Sequence, residues 1–251
     1  MATEPDNAYA ASPSPDRRTL AGWHFPALFL AVLAGLVLML VSQQMLPGAP
    51  CVAVLALGFF SIQIGPAVAA VLMMRSQVGA GERCAAVHLD QRPSGLGGSG
   101  LRVVFVVTPL VLAINVVMLF VLGLSGWEPT PNPMLEMFVA GGLGTVAMLI
   151  FGAVVIAPVC EELLFRAVLH GALSARLSWA PATVMTALIF ATVHGIVENV
   201  PALFVLGLIL QRQLRDSGSL WLPIMTHAVF NGVIVAILLL ARCLGYGDEL
   251  I

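Results

Sequence analysis

Long uncharged apolar runs alternate with short polar stretches along this chain, and that coarse rhythm predicts its elements. Apolar segments lie at about 22–46, 51–74, 101–126, 137–177, 180–197, 200–215 and 219–242. Several come near or exceed the roughly 18 residues that argue for a membrane-spanning helix. The expected fold is therefore all-α: a polytopic membrane helix bundle of seven spans, with eight as the alternative. Residues 1–20, rich in Pro, Ser, Ala and Asp, read as a disordered cytoplasmic tail. Residues 21–136 read as N-terminal transmembrane helices with a Gly-rich cytoplasmic loop at 75–100, and 137–244 as a transmembrane core that holds the candidate chemistry. A second polar loop, "SGWEPTPNPMLE", occupies 125–136.

The choice between seven and eight spans turns on 137–177. A straight helix of that length runs about 60 Å, roughly twice the hydrocarbon thickness. Two spans fit by length. One long span, broken near Gly141–Gly144 and bent at Pro158, keeps Arg176, Arg212 and Arg215 on the cytoplasmic side and fits the charges better. Cytoplasmic loops are enriched in basic residues. Arg17 and Arg18 precede the first span, and Arg75, Arg83, Arg92 and Arg102 surround loop 75–100, whereas loop 125–136 has no basic residue. This places the N-terminus and loop 75–100 in the cytoplasm.

Composition sharpens the class. The chain is 59% hydrophobic and 10% charged, with a mean hydropathy of +1.00, against about 25% charged residues in ordinary soluble domains. A net charge of −2 gives no reason to expect a nucleic-acid partner. The basic residues are all Arg, and the Ala- and Gly-rich usage suits a GC-rich bacterial genome, so the expected location is a bacterial inner (plasma) membrane. Cys51, Cys84, Cys160 and Cys243 form no C-x-x-C and read as small apolar side chains.

Segment 200–215 is too short for a full span, reaching about 24 Å at helical rise. The linker before it, "HGIVENV", contains Glu198 and Asn199. Polar non-helical backbone at membrane depth persists only where protein buries it or where it lines a water-filled cavity. A cavity near the bilayer midplane follows.

Against this apolar background a few polar side chains stand out. Segment 137–177 holds Glu161, Glu162 and Arg166 in "APVCEELLFRAVLH"; segment 180–197 holds His194 in "FATVH"; segment 219–242 holds His227 and Asn231 in "HAVFN". Residues four apart share a helix face, so Glu162 can pair with Arg166, and His227 and Asn231 project together. Glu161 has Phe165 at that spacing, not a cation. Measured from the cytoplasmic ends, Glu161, His194 and His227 lie about 24, 21 and 12 Å deep, which helix tilt can reconcile. Ionisable groups at such depth are costly and mark functional paths or sites. Each has a plainer reading: a structural ion pair for Glu162–Arg166, and interhelical hydrogen bonds for either His or for Asn231. His170 reads as another interhelical hydrogen bonder.

Peptide hydrolysis needs an activated water, a proton carrier and donors aimed at the developing oxyanion. A Glu with a His can hold the water; a second His and an Asn amide can donate to the oxyanion. Two His and one carboxylate would also make a zinc set with an open position, although no H-E-x-x-H is present. No G-x-S-x-G is present, which disfavours a serine nucleophile.

At these motifs, in this order, the sequence resembles the CAAX protease and bacteriocin-processing (CPBP/Abi) family of intramembrane glutamate endopeptidases. "EELLFR", "FATVH" and "HAVFN" carry the resemblance, which covers about residues 145–240; Ala167 stands where the family often has Gly. The resemblance implies a membrane-embedded endopeptidase that needs neither metal nor cofactor. In it Glu161 and His194 activate the water, His227 and Asn231 form the oxyanion hole, and Glu162 and Arg166 position Glu161. The implied partners are the lipid bilayer and a peptide or protein substrate reaching the membrane, as in prenylated C-terminus trimming, peptide processing or bacteriocin immunity. The alternatives are a zinc-dependent membrane protease and a non-enzymatic immunity or transport protein.

Overall fold

The computed structural model describes residues 101–129, 133–174 and 176–245, together with Gly65 and Val68. The expected tail 1–20, the apolar segments 22–46 and 51–74 and the loop 75–100 lie outside the described residues, apart from those two positions. Among the described residues from 101 onward six helices follow one another: α1 (Val103–Gly123), α2 (Pro133–Ala140), α3 (Leu143–Ser174), α4 (Trp179–Thr192), α5 (Val200–Ser217) and α6 (Trp221–Cys243). There is no strand among the described residues.

Three of these helices are long and apolar enough to cross a membrane: α1 with 21 residues, α3 with 32 and α6 with 23. At helical rise they reach about 32, 48 and 35 Å, against a hydrocarbon core of about 30 Å. α4, with 14 residues, and α5, with 18, are shorter. The apolar segment expected at 180–197 is thus helical only to Thr192. From there the chain turns through Gly195, at φ 73°, and a short 3-10 turn Val197–Asn199 before α5 begins. Gly195 is needed at that turn because its φ lies where a Cβ is strained.

Segment 137–177 forms one uninterrupted helix from Leu143 onward, preceded by a break at Gly141–Gly142. The polar loop expected over 125–136 ends earlier than its composition suggests, because α2 starts at Pro133. Proline has no N–H to lose in a first helical turn, and Glu136 in that turn complements the helix dipole.

α3 is not a uniform α-helix. Its turns widen to π-helical geometry at Gly152–Ile156 and again at Leu163–Leu169, on either side of the α-helical stretch Ala157–Glu162. Pro158 sits in the first turn of that stretch. Proline and π-turns are the usual causes of helix kinks, and π-turns concentrate at functional sites.

Large apolar side chains such as Phe105, Val116, Phe120, Ile237 and Leu240 face outward, while Glu161, Glu162, Arg166, Glu198, Gln211 and His227 are buried. Outward apolar faces need a hydrocarbon surrounding. Inside, Val103, Val107 and Val111 of α1 meet Ala202, Leu206 and Leu210 of α5 and Phe230 of α6. α4 and α5 approach closely at Gly207, where an added Cβ would meet Cα and Cβ of Ala187 at 3.1 Å. At the other side of the bundle Phe138, Val146 and Leu149 pack on Val235, Leu238 and Leu239 of α6. Arg242 near the end of α6 donates to the carbonyls of Phe138 and Gly141, the latter at 2.8 Å, and so caps α2.

Candidate active site

Three helices bring the polar residues together. Glu161, Glu162 and Arg166 come from α3, His194 from the turn after α4, and His227 and Asn231 from α6. The Glu161 Oε2 atom lies 3.8 Å from His227 Nε2 and 3.9 Å from His194 Nε2. Glu162 is fully buried and divides between two partners. Its Oε1 accepts from His227 Nδ1 at 2.9 Å, and its Oε2 lies 3.0 Å from Arg166 Nε, a contact of opposite charges off the line of a hydrogen bond. The i, i+4 spacing of Glu162 and Arg166 thus produces the ion pair it suggests. Glu162 spans further than that spacing shows, because it also reaches His227 on another helix.

The hydrogen bonds fix the faces the two imidazoles present. A backbone carbonyl only accepts, so His194 Nδ1 donates to Phe190 O at 2.7 Å, and Nε2 is the atom turned toward Glu161. His227 Nδ1 likewise donates to the Glu162 carboxylate, leaving Nε2 to face Glu161. A carboxylate oxygen and two ring nitrogens therefore converge at separations slightly too long for direct hydrogen bonds. Such a gap suits a water held between them. Two ligands of one tetrahedral zinc sit about 3.3 Å apart, closer than these groups stand. Among the described residues no group of three His, Cys, Asp or Glu is close enough to share one ion.

Asn231 is placed by a defect in α3. In the π-turn the Ala157 N–H bonds to Gly152 O, five residues back. The next donor in that register would be residue 158, which is proline and has no N–H. The Ala153 carbonyl is left for another donor, and Asn231 Nδ2 takes it at 2.7 Å. One of the two amide hydrogens of Asn231 is spent on this contact.

Phe190 ties the cluster together. Its ring, wholly buried, stands edge-to-face with His194 at 4.9 Å, His227 at 5.9 Å and Phe165 at 5.2 Å, and the Arg166 guanidinium lies over it at 4.5 Å. A cation within about 6 Å of a ring centroid is attracted by the ring quadrupole. Burial is graded: the side chains of Glu162, Arg166 and His227 are 0, 1 and 4% exposed, Glu161 is 10% exposed, and His194 is 31% exposed. The cluster therefore opens on the His194 side.

His170 makes the interhelical contact expected of it, with Nε2 3.2 Å from Thr183 Oγ1, and packs on Trp179. Cys160 and Cys243 are free thiols; Cys51 and Cys84, like His24 and His88, lie outside the described residues. The role of Ala153 O was hidden from composition, whereas Phe190, four residues before His194, was in view as the first residue of "FATVH".

Residues 143–233 match the family model of the type II CAAX prenyl endopeptidase, Rce1-like, proteins. The chain is also similar to an uncharacterized 24.3 kDa protein of Escherichia coli, with 28% identity over 121 residues, 46% of this chain. The match covers 56% of that relative's length. No solved structure matches the chain. The matched segment contains every side chain of the cluster, and over those residues the chain is similar to the type II CAAX prenyl endopeptidases.

Proposed function

We propose that the chain is an intramembrane endopeptidase that hydrolyses a peptide bond without a metal, using a water activated by Glu161 and His194. The observation that carries this reading is the convergence of Glu161 Oε2 with His194 Nε2 and His227 Nε2 at 3.9 and 3.8 Å. The water oxygen bonds to the scissile carbonyl carbon while Glu161 accepts its proton, and the carbonyl π electrons move onto oxygen. The second amide hydrogen of Asn231 and a proton on His227 Nε2 donate to that oxyanion. The oxyanion then re-forms the carbonyl as the C–N bond breaks, and the amine leaves with the proton from Glu161, the other product being the carboxylic acid. Preorganised donors of this kind lower barriers because they are aimed before charge develops. Glu162 and Arg166 hold the His227 ring, rather than only Glu161, in the orientation this step requires.

The substrate is a peptide or protein segment reaching the membrane, in CAAX-type or peptide-processing cleavage. The chain would sit in a bacterial inner membrane with its N-terminus in the cytoplasm. Purified protein offered fluorogenic peptides, farnesylated and plain, tests this reading. Cleavage should persist in a chelator, and Glu161→Ala should retain no more than a few per cent of it while still folding. Chelator-sensitive cleavage with one tightly bound zinc per chain would establish the zinc protease instead. Folded protein that binds peptides without cleaving any would favour an immunity or transport role.

A further inference from the structure

Glu161, Glu162, Arg166, His227 and Asn231 all stand on helices. His194 does not: it lies in the turn after α4 and is followed by Gly195, extended Ile196 and the turn Val197–Asn199. Irregular backbone at membrane depth has to be held by the protein around it. Within the segment, the amides of Gly195 and Asn199 bond to Thr192 O and Ile196 O and shape it locally; at its start Val193 N–H reaches back to Ile189 O and His194 Nδ1 to Phe190 O. At its far end the Asn199 carboxamide crosses to α1, where Asn115 Nδ2 donates to Asn199 Oδ1. α1 also packs directly against the turn Val197–Asn199. Asn115 lies before residues 143–233, outside the segment that matches the family model.

We infer that Asn115 is a positioning residue: through Asn199 it fixes the segment 193–199 and so holds His194 against Glu161. This rests on the proposed peptidase reading for its catalytic meaning, while the hold on the segment can be measured without turnover. Two carboxamides meeting across an apolar interface suit this purpose, since each satisfies the other where lipid and aliphatic side chains offer nothing. His194 needs such a hold more than its partners do. Its side chain is 31% exposed, against 10% for Glu161 and 4% for His227, and its ring nitrogen is 3.9 Å from the carboxylate it must serve.

The test compares wild type, Asn115→Leu, Asn199→Leu and the double variant, with Asn115→Gln as the conservative change, all as full-length protein in detergent. Hydrogen exchange read by mass spectrometry should show amides of 193–199 exchanging about 3- to 20-fold faster in each Leu variant. That is the range given by side-chain hydrogen bonds measured between membrane helices. The double variant should be no worse than either single one, and exchange in α3 and α6 should be unchanged. Peptide turnover should fall with kcat while KM stays within about twofold, and Asn115→Gln should recover part of it. Unchanged exchange at 193–199 in Asn115→Leu overturns the inference. So does faster exchange across all helices, which would make the contact general packing, and so does faster exchange at 193–199 with kcat intact. If wild type cleaves no peptide yet 193–199 alone responds, the peptidase reading fails and the hold of Asn115 on the His194 segment stands.

Discussion

Replacing Pro158 with Ala returns one backbone N–H to the widened part of α3, and two hydrogen bonds set the consequence. In the present register the Ala157 amide reaches Gly152 O, so the amide of residue 158 would reach Ala153 O. That carbonyl now accepts Asn231 Nδ2 at 2.7 Å. A carbonyl has two lone pairs and can hold both donors for part of the time. Without the proline ring, however, the turn also narrows toward regular α-geometry and draws the carbonyl into the helix. Losing one side-chain hydrogen bond between membrane helices costs about 0.6 kcal/mol on average and about 1.7 at most. At about 1.4 kcal/mol per tenfold in rate, turnover should fall about 3- to 18-fold. The ceiling is Asn231→Ala, which removes the proposed oxyanion donor and should cost about a hundred- to a thousand-fold. Stability should move the other way, because proline within a helix is up to about 3 kcal/mol less favourable than alanine. The assay is kcat on a cleaved peptide together with thermal unfolding in detergent, repeated in an Asn231→Ala background. Lower turnover with an unchanged or higher Tm, and no further loss in that background, is the expected result. Turnover within twofold of wild type, or an equal loss when Asn231 is already gone, would refute the link between Pro158 and Asn231.

Other substitutions test the surrounding contacts. Arg166→Ala leaves Glu162 buried beside His227 without its cation and should destabilise the protein by about 3 to 5 kcal/mol; a variant that melts like wild type yet is inactive would give Arg166 a direct part in the reaction. Phe190→Leu keeps the volume apolar but removes the ring faced by Arg166 and both imidazoles, a contact worth about 2 kcal/mol when desolvated; turnover should drop more than binding, and equal kcat in both proteins would show that the ring is only filler. On the proposed topology of seven spans from a cytoplasmic N-terminus, a cysteine introduced near Asp248 should react with a reagent confined outside the cytoplasm; labelling only from the cytoplasm would support eight.

The apolar rhythm of the sequence made most of the helices legible, because an uncharged run long enough to cross a bilayer has few other folds open to it. Glu162 and Arg166 were legible for a simpler reason: four residues on one helix is a contact whatever surrounds it. The break at Gly141–Gly142 was visible for the same local reason. What stayed hidden depends on relations between helices. Nothing about Asn231 alone points to Ala153, since that partner exists only where a π-turn meets Pro158. The second contact of Glu162, to His227, joins residues on α3 and α6, and no spacing along the chain encodes it. Asn115 and Arg242 look like an ordinary polar residue and an ordinary helix-end cation until Asn199 and the carbonyls of Phe138 and Gly141 are seen opposite them. The start of α2 was obscured because proline and glutamate are loop-like in composition and favourable in a first helical turn.

Arg242 also bears on how the protein is made. It belongs to α6, the last described helix to leave the ribosome, and it holds carbonyls at the end of α2 and at the break just before α3. The same helix delivers His227 and Asn231. While α1 to α5 are being inserted, the glutamates of α3 therefore have neither their second imidazole nor the amide that would receive a substrate. The arrival of α6 supplies both and clamps the entrance to α3 in one step. On the proposed peptidase reading, a nascent chain has an incomplete site until α6 is in place, so the order of translation itself delays activity.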